Sequence, residues 1–584
     1  MLRLFKYLKP YILQVIILLA STALQVYCTL RLPALMADII NDGIVPSDMD
    51  FIWRTGLLML GLAVLSAVGA LVSNLFAARI GANFSKDLRR DIFAKVISFD
   101  LADAKNFSTA SLITRTTNDI NQVQQAITMI LSMLVRAPMF CIVALFMAFE
   151  TAPDMTWIIA VSAGAILLSV FTIMALVVPK FKIFQKLLDK ITLLTRENLT
   201  GLRVIRAFNK EKYEKKKFEK TNDEMTRTII FIEKILNLQN PLINIVFNGM
   251  TLLCSWVGIS LLQKDIAYLG NMAAFAQYVG QVMISFLLLS VLFIMLPRAN
   301  VSAGRINEVL GTKPKIHWKK QTAGNIERTP SVEFKDVDFA YEKAEEKVLS
   351  NISFRAEAGQ TTAIVGSTGS GKSTLINLVP RFFEATSGQI LINGLDIKDY
   401  SREDLISLIG FVPQRGMLFS GSVKENIAFG APRASLDDVK NAAKIAQAAD
   451  FIEKLPKQYN YQIAQGGTNV SGGQKQRLSI ARAICKNPSI FVFDDSFSAL
   501  DMKTDANLRQ ALTKITKSAV TIIVAQRVST IKNADQIIVL DQGKVVGKGN
   551  HKELLKSCPI YQEIVKSQIS EAEYEKELKE ARHA

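Results

Sequence analysis

TTAIVGSTGSGKST, residues 361–374, decides how the second half of this 584-residue chain folds. An apolar run, TTAIVG, reads as a buried strand. A glycine-rich turn follows, and TLINLV then opens an apolar helix. The interval Gly366–Ser373 matches G-x-x-x-x-G-K-[ST], in the strand–turn–helix setting that this spacing requires. Glycines let successive backbone N–H groups wrap an oxyanion, and a helix N-terminus favours negative charge. The expected nucleotide-binding set is Gly366, Ser367, Thr368, Gly369, Ser370, Gly371, Lys372, Ser373 and Thr374. Lys372 is expected to reach the outer phosphates and Ser373 to hold Mg²⁺.

Outward from this loop, the runs SIFVFD, VTIIVA and QIIVLD alternate with helical stretches. That is the pattern of an α/β domain on a largely parallel sheet. The run IFVF ends in Asp494, where a carboxylate facing the metal is expected. The stretch GTKPKIHWKKQTAGNIERTP, 311–330, is polar, basic and broken by prolines, and reads as a linker. The expected domains are 1–312, a linker 313–330, a nucleotide-binding domain 331–570 and a charged helical tail 571–584, to which the sequence assigns no role.

The first half differs in kind. The chain is 49% hydrophobic with a mean hydropathy of +0.23, which points to a membrane. Six apolar runs are long enough to cross a bilayer: roughly 11–36, 55–78, 127–149, 156–179, 240–262 and 272–297. They lack strand-like alternation, and helices are the open-ended elements that satisfy their own backbone in lipid. The net charge of +17 arises from 69 basic against 52 acidic residues. Nucleic acid would explain that excess but not six spans; basic cytoplasmic loops explain both. The short loops NDGIVPSDMD and ETAPD are acidic, whereas 79–126 and 180–239 are long and basic. Both termini and both long loops are therefore expected in the cytoplasm, with turn elements near 107–115 and 204–213. The five cysteines show neither metal spacing nor a paired pattern. Among polar residues inside the spans, Asn244 and Asn248 share one helix face, as do Gln277 and Gln281. They are candidates for a cargo path or for interhelical hydrogen bonds. Gln14, Gln25, Arg31 and Arg136 also interrupt apolar runs.

VSGGQKQRLSIARAI, 470–484, resembles the signature motif of ATP-binding cassette (ABC) ATPases. Ser471, Gly472, Gly473 and Gln474 open a helix whose N–H groups can face a phosphate; in the family that phosphate belongs to ATP on the partner domain. Other elements follow the family's order. Tyr341 in FAYE resembles the aromatic that stacks on adenine, and Gln414 in FVPQ the residue that senses Mg²⁺ and the membrane helices. SALD, ending at Asp501, resembles the D-loop. The whole chain is similar to an ABC multidrug exporter half-transporter, a polytopic six-helix membrane domain followed by a P-loop ATPase. The turns near 107–115 and 204–213 resemble its coupling helices, of which the second docks on the partner. This implies a multi-pass protein of a bacterial plasma membrane with a cytoplasmic ATPase domain. It also implies ATP and Mg²⁺ as ligands, a second half-transporter and the lipid bilayer as partners, and no nucleic acid.

Two positions depart from the family's pattern, and both serve one site. Asp495 stands where the family has the glutamate that polarises the attacking water. Gln526, in AQRVST, replaces the switch histidine. Gln465 stands where many exporters have an acid. Together they imply a heterodimer. This chain's own site would bind ATP and hydrolyse it poorly, while its signature completes a competent site on a partner bearing the glutamate and histidine. The expected function is ATP-driven export of amphipathic compounds by alternating access. A lipid flippase, a channel-like regulatory subunit and an importer share the architecture.

Overall fold

A computed structural model describes residues 1–262, 268–324, 327, 329–342 and 344–583. The chain divides into two compact units, residues 1–97 with 109–312, and 98–108 with 313–584.

Among the described residues of the first unit, six helices are long and apolar enough to cross a membrane. They are Arg3–Ile44, Met49–Ile97, Thr109–Thr151, Pro153–Thr200, Glu211–Ser260 and Leu269–Leu289, the last continuing as helix to Gly311. Their outer faces stay apolar, with Leu57, Phe171 and Trp256 exposed, as a lipid solvent requires. Met49–Ile97 runs for 49 residues. At 1.5 Å per residue it is about 70 Å long, more than twice a hydrocarbon core of about 30 Å. The basic ends of these helices therefore leave the bilayer. Small and polar side chains join the spans: Thr22 and Ser73 share a hydroxyl hydrogen bond of 2.8 Å. Further along, Arg305 pairs with buried Asp119 at 2.7 Å, and Ser302 donates to the same carboxylate at 2.9 Å. All five cysteines are free thiols.

The connecting elements lie slightly earlier in the chain than the sequence suggests. The first is a short helix, Leu101–Asn106; Thr109–Thr114, expected to belong to the turn, already opens the next long helix. Extended backbone at Asp100 and Phe107 bounds the short helix, and the Phe99 and Phe107 rings stack at 5.7 Å. The second is Leu202–Ala207, ended by a turn in which Asn209 takes φ +49°.

Among the described residues the second unit carries twelve strands. β1 (Ser331–Phe339), β2 (Leu349–Glu357), β4 (Ser387–Ile392) and β5 (Leu395–Asp396) form an antiparallel sheet. β3 (Thr361–Gly366), β6 (Ile409–Val412), β9 (Ile490–Asp494), β10 (Val520–Val524), β11 (Gln536–Asp541) and β12 (Lys544–Gly549) form the second sheet, in the order β12-β11-β3-β10-β9-β6. β7 (Gly421–Ser422) pairs with β8 (Gln462–Ile463). In the six-stranded sheet only β12 runs antiparallel to its neighbour. Alternation along β9 explains why both faces are covered. Phe491 and Phe493 pack into one core, and Ile490 and Val492 into the other. The tail is part of the first of these cores. Helix Glu571–His583 buries Tyr574 and Ala581 there.

Candidate nucleotide site

Four adjacent parallel strands, β3, β10, β9 and β6, end side by side. Their carboxyl ends deliver the glycine-rich loop, the 525–530 loop, Asp494 with Asp495, and Gln414. A crevice outside the carboxyl ends of parallel strands is where ligands bind in open α/β sheets. Register makes the convergence tight. Val524 faces Asp494 across β10 and β9, and Asp495 N–H donates to the Val524 carbonyl at 2.9 Å.

The glycine-rich loop closes on itself. Lys372 Nζ donates to the Gly366 and Ser367 carbonyls at 2.8 and 2.6 Å. Gly371 caps the helix Lys372–Leu378 with φ +97°, and a Cβ there would lie 2.8 Å from Leu349 Cδ2. Only glycine meets both demands. Burial lowers the Lys372 ammonium below its ordinary range, partly offset by Asp495 and Asp494. An anion in the loop would remove that penalty.

Ser373 Oγ donates to Asp494 Oδ1 at 3.1 Å. Burial pushes the Asp494 carboxyl up, Ser373 pulls it down, and neighbouring Asp495 adds to the rise. A buried carboxylate beside a hydroxyl, opposed by a second carboxylate, is an all-oxygen donor set that favours a hard divalent cation. The residues present thus fit Mg²⁺. Asp495 is buried, takes φ +45° and accepts from Gln414 Nε2 at 3.3 Å. The Gln526 side chain is exposed. Tyr341 meets Phe339 and Phe383 edge-to-face, and its hydroxyl bonds Thr374 Oγ1 at 2.9 Å, so the aromatic lies against the end of the phosphate loop.

Ser471 caps the helix Gly472–Cys485 reciprocally. Its hydroxyl accepts from Gln474 N–H at 3.3 Å, and its own N–H donates to Gln474 Oε1 at 2.9 Å. This box holds the first turn and leaves Ser471 and Gly472 at the surface. Asp501 caps the next helix, Met502–Ile515, accepting from Thr504 N–H at 3.0 Å.

Sequence reasoning missed Gln476. It is buried, donates to the Pro413 carbonyl at 3.0 Å and accepts from Gly416 N–H at 2.9 Å. One side chain of the signature helix thereby brackets Gln414. The only sequence signal was a glutamine on the apolar face of that helix.

In the membrane unit, Asn244, Asn248 and Gln277 are exposed and Gln281 is half-buried. Their helices, Gln239–Leu262 and Tyr268–Gly311, pack together, with Phe247 against Gly280. Gln25 is buried, Arg31 is exposed, and Arg136 lies over the Phe140 ring at 5.4 Å.

Residues 15–286 match the family described as ABC transporter transmembrane region, and residues 349–498 match ABC transporter. An uncharacterised ABC transporter ATP-binding protein of Mycobacterium tuberculosis is 37% identical, over 96% of this chain and 97% of that one. An uncharacterised ABC transporter ATP-binding protein of Bacillus subtilis is 36% identical, over 96% and 98%. An ATP-dependent lipid A-core flippase of Desulfotalea psychrophila is 32% identical, over 94% of each chain. The solved structure of a bacterial Atm1-family ABC exporter with ATP bound superposes with a TM-score of 0.80 at 23% identity, covering 97% of this chain and 99% of that one. Six candidate spans and this kinship make the protein a multi-pass protein of the bacterial plasma membrane with a cytoplasmic ATPase domain. The chain belongs to the ABC transporter family, as an exporter-fold half-transporter that joins a membrane domain and an ATP-hydrolysing domain in one polypeptide.

Proposed function

We propose that this chain is one half of an exporter built from two different half-transporters, and that its own site holds ATP rather than turning it over. In this reading Lys372 and the loop 366–371 grip the phosphates, Tyr341 takes the adenine, and Ser373, Asp494 and Gln414 hold Mg²⁺. The bound cation would neutralise phosphate charge. Ser471–Gln474 would complete the partner's competent site, with Asp501 at the junction. One observation carries the reading. Asp495 follows β9 by one residue and Gln526 follows β10 by two, and these strands pair side by side, which supports the reading that both departures serve one site. Asp is shorter than Glu by one carbon–carbon bond, about 1.5 Å. Its carboxylate already bonds Gln414. Glutamine cannot carry a positive charge to the terminal phosphate.

Steady-state ATPase assays on the purified chain test this. The chain alone should be nearly inactive, and Asp495→Glu combined with Gln526→His should raise turnover by about 10²-fold or more, the usual scale of a general base. Robust turnover by the unmodified chain would sink the proposal.

The exposed Asn244, Asn248 and Gln277 support an amphipathic cargo, because polar groups at membrane depth are costly against lipid and are satisfied by a wet path or a second half. The flippase relative supports a second reading, movement of a lipid. ATPase stimulation by lipid without transport of drug-like compounds in vesicles would select it.

A further inference from the structure

The loop 525–530 leads from β10 into the short helix Val528–Ile531, and its main chain is gripped by one distant side chain. Gln568 Nε2 donates to the Gln526 carbonyl at 2.8 Å, and Gln568 Oε1 accepts from Val528 N–H at 2.7 Å. The two bonds straddle Arg527, so a single planar amide closes across the loop. Gln568 lies between two helices, Pro559–Lys566 and Glu571–His583. Both are anchored. Tyr561 is fully buried and bonds His551 Nδ1 at 2.7 Å, while His551 Nε2 meets Glu577 at 3.1 Å. Glu577 also pairs with Lys532, which directly follows the Val528–Ile531 helix. The tail thus holds the segment at two places, by its main chain at 526 and 528 and by a side chain at 532.

We infer that Gln568 is a positioning residue for the ATP site, its amide setting the main-chain conformation in which residue 526 is presented to the terminal phosphate, with the tail helix keeping the loop seated through Glu577 and Lys532. Residues 569–583 are then working parts of the ATP site and not a passive appendage. Coupling between two sites is reciprocal, so bound ATP must also steady the tail. The inference rests on the reading that this loop borders ATP held by Lys372.

The test uses the full-length chain in detergent, with Gln568→Ala, Gln568→Glu and Lys372→Ala. Hydrogen exchange is followed without nucleotide, and Kd is measured with a fluorescent ATP analogue. In Gln568→Ala the Val528 amide should exchange about tenfold faster, the scale of one lost hydrogen bond. Its Kd should rise about fivefold, the lower end of ordinary site-to-site coupling. Gln568→Glu keeps the acceptor for Val528 and loses the donor to Gln526, so Kd should rise while Val528 stays protected. Wild-type chain should show slower exchange over 569–583 when ATP is added. Unchanged Kd in both Gln568 variants, alongside lost binding in Lys372→Ala, overturns the inference and leaves the site reading standing. Undiminished binding in Lys372→Ala overturns the site reading instead. Should Gln568→Ala fail to fold, the absence of ATP-dependent protection over 569–583 in the wild type is sufficient to reject the inference.

Discussion

Asp494 and Asp495 are chain neighbours with different surroundings. Asp494 ends β9 largely buried, with Ser373 Oγ as the hydrogen-bond donor to its carboxylate among the described contacts. Burial raises its pKa. A raised carboxyl stabilises the nucleotide-free fold only while protonated, and that contribution is lost as pH rises through the raised value. At neutral pH the ionised Asp494 is therefore a liability until a cation arrives. Asp494→Asn should raise the Tm of the nucleotide-free protein and abolish the extra stabilisation that ATP gains from Mg²⁺, both readable by thermal unfolding with and without MgATP. Because protons compete with the cation, Mg²⁺-dependent ATP binding should weaken on acidification at a pH above the ordinary aspartate value of about 3.9. Both aspartates are legible in the sequence as a pair after an apolar run. The left-handed backbone of Asp495 is not, since it arises where the chain leaves β9 and Asp495 N–H bonds the end of β10.

At the scale of elements, two glutamines do one kind of work. Gln476 brackets the Gln414 loop from the signature helix, and Gln568 brackets the 525–530 loop from the tail. The first is buried. Gln476→Ala would leave the Pro413 carbonyl and the Gly416 N–H without their partner, at a cost of about 1–3 kcal/mol. A loss of unfolding free energy of that size, read as a lower urea midpoint, with faster exchange confined to the peptide around Gly416, is the expected result. Gly416 explains the closeness of this contact. A Cβ there would lie 2.8 Å from both the Lys475 carbonyl and Ser479 Oγ. Strand and helix identities were readable from period and motif. The short connecting helices were displaced by several residues, because 109–114 has no breaker to stop it joining the next span.

At the scale of the molecule, the membrane unit presents exposed apolar side chains at its second connecting helix. The second connecting helix, Leu202–Ala207, leaves Leu202, Val204 and the adjoining Phe208 exposed. An exposed apolar cluster marks an interaction surface, and under the proposed two-chain reading it would meet the partner half. Phe208→Asp, an exposed change with little effect on stability, should lower cargo-stimulated ATPase and vesicle transport by the proposed two-chain exporter several-fold, and leave the Kd for ATP unchanged. Sequence alone determined the two-part architecture, the six spans and the phosphate-loop motif. Those properties are local: a span is a contiguous length of apolar residues, and a phosphate loop is a contiguous spacing of glycines before Lys372. Tertiary structure alone decided which strand ends lie side by side, which glutamines close over the loops, and that the charged tail packs into the ATPase core. Those pairings join residues from about 40 to more than 100 positions apart. A hydrogen bond across such a distance leaves no period in the chain; it exists because sheet order and register bring its two ends together.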